Sequence, residues 1–457
     1  MTTPNGQLPT PKPVTLAAVV AGATLVGTLA GAQAPHIYAI TNARIVTAAG
    51  APIENGTIVF RDGVIEQVGI GVTPPPAARL YDGKGLTVYP GLIDMGNSSV
   101  VSAGAPPSST AKTTEDAERA KRDLLLRPQL RAAAHLAIET PAMKKLVAAG
   151  VTTVLAVPAG GAVLGQSALV NTALPVDEPQ IGALADLRRG QPVLRTPVAV
   201  HIEVPERPAG GNAYPNSLMG MIAFIRQSFL DAQYYAMLQE RPSPGSRLAF
   251  DPALEGLQPV IARRIPVVYR AETAREIDRA LAMTGEFELD TILAGGREAD
   301  QRSADLKARN VSVIYNLRYP ERPKSLAPDA DEPLRVLRER ANAPKTPAAL
   351  EKAGILFAFE SGGLENPKDF VKNAAKAVKA GLSADAAIRA LTINAATIAG
   401  AADRLGTLER GKLANAIVTD GDLFGEKTTI KYVFVDGRPV PIEDVPADRN
   451  RRTNTQR

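Results

Sequence analysis

Cysteine is absent from the 457-residue chain. No disulfide framework, thiolate metal site or thiol nucleophile is therefore available, and thiols give no reading of the redox compartment. Histidine is nearly absent too: His36, His135 and His201 are the only three, a severe limit on any imidazole-based metal centre. Aromatic residues make up 4% of the chain, against 38 Gly and 37 Pro, which points to many tight connections. Charge of one sign is scarce. The formal net charge is +5, and Arg449, Arg451, Arg452 and Arg457 place part of it in the last nine residues. No aromatics interleave with those arginines, so the tail reads as solvated and no nucleic-acid partner is expected.

Long apolar runs are missing except for one. Residues 14–30 carry only uncharged, mostly small or aliphatic side chains after a polar stretch with Lys12. The run ends in Ala30-Gly31-Ala32 and Ala32-Gln33-Ala34. These are the n-region, h-region and cleavage motif of a secretory leader. Pro35 disfavours the second site, so residues 1–32 are expected to be removed, giving a periplasmic or secreted protein. The run is short and weakly apolar for a membrane anchor, and no span is expected after cleavage.

What is present is 45% apolar and 22% charged residues, enough for one large domain and a smaller one. Residues 39–46 and 56–68 alternate around Asp62-Gly63, a strong hairpin signal. Residues 416–419 and 430–435 repeat that texture before Asp436-Gly437. One β-domain built from both termini is expected, from residues 36–86 and 404–445, with a flexible basic tail at 446–457. Between them, apolar strands at 87–93, 152–157, 198–202, 266–269, 291–293, 311–315 and 355–359 alternate with helical patterns. Strands that read as continuous apolar runs, each followed by a helix, indicate a parallel sheet. Seven or eight such units favour a closed barrel over residues 87–403, with its chemistry at the C-terminal strand ends. The longest helix is expected from about Ser217, with Leu218, Ile222, Ile225 and Phe229 on its inner face. Asn216 or Ser217 reads as its cap; the alternative is that residues 214–220 shape a substrate site. Residues 158–170, PAGGAVLGQSALV, read as a glycine-rich loop able to approach a ligand with backbone N–H groups. They lack the pattern of a nucleotide loop.

Four segments carry a resemblance: residues 42–69 (NARIV…ENGTIVFRDGVIEQVG), 87–94 (TVYPGLID), 148–154 (AAGVTTV) and 391–418 (LTINAATIAGAADRLGTLERGKLANAIV). Together they resemble the amidohydrolase superfamily, in its imidazolonepropionase-like secreted branch, over nearly the whole mature chain. The resemblance implies an α/β fold: a metal-dependent-hydrolase-type (β/α)8 TIM barrel with a small β-sandwich. It also implies hydrolysis of carbon–nitrogen bonds other than peptide bonds, with zinc as the expected cofactor to activate water. Dimers or larger assemblies, or pairing with a related amidohydrolase, are implied as well.

The metal-binding positions depart from that pattern. The His-x-His pair expected after PGLID is replaced by Gly96 and Ser98, the fifth-strand His by Arg270, the sixth-strand His by Ala294 and the eighth-strand Asp by Gly362. No metal or other cofactor is therefore expected. The candidate catalytic residues are His201 and Glu203, two apart on one strand, and Glu360; for His201 the ordinary reading is a hydrogen-bonded core residue. Arg270 repels a divalent cation. It either pairs with Glu360 or holds an anionic ligand, with Asn97 and Ser98 as further ligand-binding candidates. His36 and His135 read as ordinary surface or packed residues; Arg297, paired with Glu298, reads equally as an aid to Arg270 or as part of a solvated helix start. The alternative to a hydrolase is thus an inactive ligand-binding protein, or a partner subunit of an active paralogue, with a small-molecule site at Arg270.

Overall fold

The computed structural model describes residues 36–102, 112–137, 140–173, 192–205, 213–240, 249–327 and 329–442. The leader expected at residues 1–32 and the basic tail at 446–457 lie outside them. Five strands open the described chain: β1 (Ile37–Ile45), β2 (Ile53–Arg61), β3 (Val64–Gly69), β4 (Arg79–Asp82) and β5 (Thr87–Pro90). Next come β6 (Leu92–Asn97), β7 (Val151–Ala156), β8 (Val163–Gln166), β9 (Ala168–Asn171) and β10 (Val193–Arg195). Then follow β11 (Val200–Ile202), β12 (Val267–Ala271), β13 (Thr291–Gly295), β14 (Ser312–Asn316) and β15 (Phe357–Glu360). The chain closes with β16 (Ala416–Thr419), β17 (Ile430–Val435) and β18 (Arg438–Val440).

Both termini do build one sheet, in the order β18-β17-β16-β5-β1-β2-β3, with β4 beside β1. Its two tight turns sit where Asp-Gly placed them. Asp62 and Gly63 have φ of 47° and 87°, Asp436 and Gly437 of 48° and 70°, the left-handed pair that a two-residue hairpin loop requires. The turns also meet each other. Ala414 N–H donates to Gly63 O at 2.9 Å and Gly437 N–H to Ala414 O at 3.0 Å. A cluster of Tyr38, Phe60 and Phe434 with Ile40, Ile58 and Val418 fills the space beneath; the Phe60 and Phe434 rings lie 5.2 Å apart.

Residues 87–93, expected as a single strand, are divided at Gly91. Thr87–Pro90 pairs with β1 and β16, and Leu92–Asn97 with β7. The chain passes between the sheets where a Cβ on Gly91 would overlap the Thr152 side chain. Beyond it, β11 to β15 form a parallel run with β8 added antiparallel at the edge, while β6, β7, β9 and β10 form a second sheet. Helices Ala274–Glu286 and Ser303–Ala308 connect consecutive parallel strands.

The glycine-rich segment is the main departure from the expected all-parallel pattern. It forms two short strands rather than a loop. Only residues 157–162 separate β7 from β8, too few for a parallel crossover, so the chain must turn back antiparallel. Ser167 joins β8 to β9 and bonds to the neighbouring segment in both directions: its N–H donates to Ala199 O at 3.0 Å, and Val198 N–H donates to its carbonyl at 2.9 Å. The long helix runs Leu218–Glu240, with Ser217 Oγ accepting from Gly220 N–H at 3.1 Å. Ile225 and Phe229 face inward as the periodicity indicates, but Leu218 is exposed, and Met221, Ala232 and Tyr235 complete the buried face.

A buried polar cluster joins the terminal sheet to the central strands. Asn415 Nδ2 donates to Asn171 Oδ1 at 2.9 Å and to Thr153 Oγ1 at 3.2 Å, and its Oδ1 accepts from Asp436 N–H at 2.9 Å. Asn171 Nδ2 in turn donates to Asp436 Oδ2 at 2.9 Å. Asn415→Ala leaves several of these groups without a partner, and a loss of roughly 2–3 kcal/mol in urea unfolding is expected. A change within the scatter expected of an exposed substitution would mean that the cluster does not join the two parts energetically.

Candidate functional site

The C-terminal ends of the central strands converge on a cavity of about 280 Å³. Gly96, Asn97 and Ser98 reach it from β6, His201 and Glu203 from β11, Arg270 from β12, Ala294 from β13, and Gly362 from just beyond β15. Residues read from sequence as candidate ligands, or as replacements for ligands, thus surround one space. Glu360, the remaining candidate, sits behind Arg270. His36 and His135 do not line the cavity.

Register explains the clustering. Arg270 lies opposite Ala294 on β13, and Asn316 on β14 opposite Glu360 on β15. The Arg270 guanidinium donates Nη1 to Glu360 Oε1 at 2.7 Å and Nη2 to Oε2 at 3.0 Å. This is the two-point geometry in which guanidinium and carboxylate bond best. Glu360 is 1% exposed and the Arg270 side chain 30%, so one end of the pair is dry and the other faces the cavity. Glu360 holds the guanidinium pKa above its ordinary value. Burial pushes the carboxyl up, and Arg270 pulls it back. The charge on Arg270 is further shared with Glu272, 3.9 Å away, and with Glu203.

Two of the positions that the resemblance assigns to metal ligands also lack space for a side chain. A Cβ on Gly96 would overlap Glu360 Oε2, and one on Gly362, at φ 58°, would overlap the Asn316 amide. The space beside those backbones is filled by the Glu360 and Asn316 side chains. Among the described residues, no group of three or more His, Asp or Glu side chains is placed to hold a metal ion. The side chains at these positions do not fit the zinc that the resemblance implies: they offer glycine, alanine, a neutral hydroxyl and a cation, where zinc takes imidazole, thiolate or carboxylate.

His201 is 5% exposed, and its Nε2 lies 2.8 Å from Ser167 Oγ. Ser167 Oγ also lies 3.3 Å from Ala199 O, to which it donates. Burial, reinforced by the nearby Arg270 charge, lowers the imidazole pKa to about 3, so the ring is neutral at pH 7. Asn97 is turned partly inward, accepting from Ser99 N–H at 3.0 Å and donating to Asp94 Oδ2 at 3.2 Å. Ser98 is exposed at the rim.

Several supporting residues were not singled out from sequence. Asp94, the last letter of PGLID, accepts from Ser361 N–H at 2.8 Å and Ser361 Oγ at 2.7 Å, tying β6 to β15. Burial raises its pKa and the Ser361 hydrogen bonds oppose that. Arg297, read as an aid to Arg270 or as part of a solvated helix start, bridges Glu272 at 3.1 Å and Glu339 at 2.5 Å. Its neighbour Glu298 accepts from Ala274 N–H at 2.8 Å, at the start of the helix after β12. The available signal was Glu272 at the same two-residue spacing from Arg270 that links His201 to Glu203.

Residues 296–440 match the amidohydrolase family. No curated protein matches the sequence. Among solved structures, an amidohydrolase from Thermotoga maritima MSB8 superposes with a TM-score of 0.71 at 23% identity, covering 88% of this chain and 99% of that one. A prolidase complexed with N-methylphosphonate-L-proline gives a TM-score of 0.54 at 16% identity, over 88% and 99% of the two chains. A further amidohydrolase gives 0.51 at 17%, over 89% and 99%. At these identities the likeness is one of fold.

Proposed function

The chain carries an amidohydrolase-family domain over residues 296–440, and from that premise we propose that it is a small-molecule-binding protein whose strand-end cavity works without metal. In this reading β6, β7, the bent β9–β8 run and β11 to β15 are the eight staves of the family's barrel, and the terminal sheet is its companion β-domain. One observation carries the proposal. The Glu360 carboxylate, bonded at both oxygens to Arg270, occupies the space that a ligand side chain at position 96 would need. A glycine with a buried ion pair packed against it is a rebuilt site, and a metal would have to displace that pair.

The cavity offers hydrogen-bonding groups at its rim (Asn97, Ser98, Glu203) and an apolar back wall that includes Val268 and Ala294. Such a mixture orients a small ligand. Arg270 faces the cavity with its charge largely answered by Glu360, so an anion held there would share the guanidinium with it. Hydrolysis of a carbon–nitrogen bond, the activity suggested by the amidohydrolase and prolidase relatives, needs a group to activate water. Burial lowers the His201 pKa to about 3, which makes the ring a weak base, and Glu360 is bound to Arg270, which leaves Glu203 as the base. Binding without turnover makes fewer demands on these residues.

Metal analysis of purified protein tests the proposal. Well under one zinc per chain is expected, with unchanged thermal stability after chelation and no hydrolysis of N-acyl amino acids with or without added zinc. Stoichiometric zinc, removed together with such hydrolysis by a chelator, would overturn it.

A further inference from the structure

A second concavity, of about 720 Å³, lies between the helix Asp369–Lys379 and the chain from Thr419 to Lys431. It shares no lining residue with the strand-end cavity. Its volume falls within the range of small-molecule sites, and its chemistry is divided in an unusual way. The floor is apolar, formed by the partly buried Val371, Ala375, Phe424, Ile430 and Ile442. The rim is cationic.

The helix sets that rim. Lys368, Lys372, Lys376 and Lys379 recur at i, i+4, i+8 and i+11, along one face of a helix, while Phe370, Ala374 and Ala377 bury the opposite face. Lys431 adds a fifth cation from β17, and Glu426 is the one carboxylate in the lining. Lys379 meets Glu426 at 2.6 Å, bridging the two walls. Lys372 and Lys431 each have a neighbouring carboxylate, Asp369 at 3.3 Å and Asp420 at 3.0 Å. Lys376 lies 5.9 Å from the Tyr319 ring centroid and has no carboxylate partner among the described residues. The remaining charge is positive, and it stands above an apolar floor.

We propose that this groove binds an amphipathic anion, with its apolar body on Val371, Ala375 and Phe424 and its carboxylate or phosphate head at Lys372 and Lys376. The arrangement selects against simpler occupants. A flat anionic lipid surface would meet the lysine tips but could not reach the recessed floor. An inorganic anion would leave that apolar floor in water and gain nothing from covering it. A free amphipath satisfies both parts at once.

The test is calorimetric titration of the full chain with decanoate, decyl phosphate, decyltrimethylammonium and inorganic phosphate, each below its micelle concentration. Decanoate or decyl phosphate is expected to bind, the tighter of the two identifying the head group, while the cationic amphipath and inorganic phosphate bind far more weakly. The double variant Lys372→Glu/Lys376→Glu is expected to lose roughly tenfold or more in affinity, about 1.4 kcal/mol, with its thermal unfolding unchanged because Lys372 and Lys376 are both exposed. Phe424→Ala is expected to weaken the decyl compounds and leave inorganic phosphate unaffected. The proposal is overturned if no amphipath binds, if decyltrimethylammonium binds as well as decanoate, or if the lysine variant binds unchanged. Inorganic phosphate binding as tightly as the decyl anions would make this a bare anion site. A dimer of the full chain abolished by the lysine variant would place a second copy in the groove. Either result also overturns the proposal.

Discussion

Replacing Arg270 with Met is expected to lower unfolding free energy by about 3–5 kcal/mol at pH 8, the range found when one partner of a buried ion pair is removed. The reason is the asymmetry of the pair. Glu360 is 1% exposed and cannot reach water, whereas the Arg270 side chain is 30% exposed and has Glu272 3.9 Å away. Glu360→Gln alone is therefore expected to cost less, about 1.5–3 kcal/mol, the scale of a lost charged hydrogen bond. Adding Glu360→Gln to Arg270→Met should restore much of the loss, since no charge is then left buried. The loss in Arg270→Met should also depend on pH. Without the guanidinium, the folded-state pKa of Glu360 lies further above its unfolded value. Stability is then fully present below the unfolded pKa and declines as pH rises towards the folded one, so the variant should be nearer to wild type at pH 5 than at pH 8. Urea unfolding of the four proteins at both pH values forms the necessary cycle. Strictly additive losses would remove the pair from its central place in the site.

His201 gives the second large effect, with the opposite dependence on pH. Its folded-state pKa is lowered from 6.5 to about 3. Between those values the unfolded chain binds a proton that the folded chain refuses, so stability rises with pH there. The contribution is complete above pH 6.5 and falls as pH falls, by about 1.4 kcal/mol per pH unit, levelling off near pH 3. Between pH 7 and pH 4 the imidazole alone accounts for about 3 kcal/mol. Carboxylates elsewhere titrate over part of this range, so the informative quantity is the difference between wild type and His201→Gln, which keeps a hydrogen-bonding group near Ser167. If the two proteins lose stability in parallel on acidification, the ring is not held neutral.

The sequence was legible where the signal is local. Asp-Gly between alternating runs specifies a hairpin because two successive residues must adopt positive φ, and both such turns formed. The short strands at each end were legible for the same reason. The residues at the strand ends could be read one by one from segments such as PGLID and FAFESGG, because each strand end is contiguous in the chain. The direction of β8 and β9 was less legible. Their glycines suggested a loop, and only the short link after β7 forces the chain to return antiparallel. The break at Gly91 was hidden within an apolar run that continues through two different sheets. Likewise, Arg297 resembles any charged residue at a helix start until Glu272 and Glu339 are brought beside it.

At the strand ends, then, the sequence alone determined which donor groups are available: no cysteine, three histidines in the chain, and glycine, serine, arginine or alanine at the positions that the resemblance assigns to metal ligands. Residue identity settles donor chemistry without coordinates. Only the tertiary structure decided what fills the space at those positions. The pairing of Arg270 with Glu360 spans 90 residues, and the filling of the spaces beside Gly96 and Gly362 by Glu360 and Asn316 depends on strand register and side-chain volume. Neither is a property of any one segment of the chain.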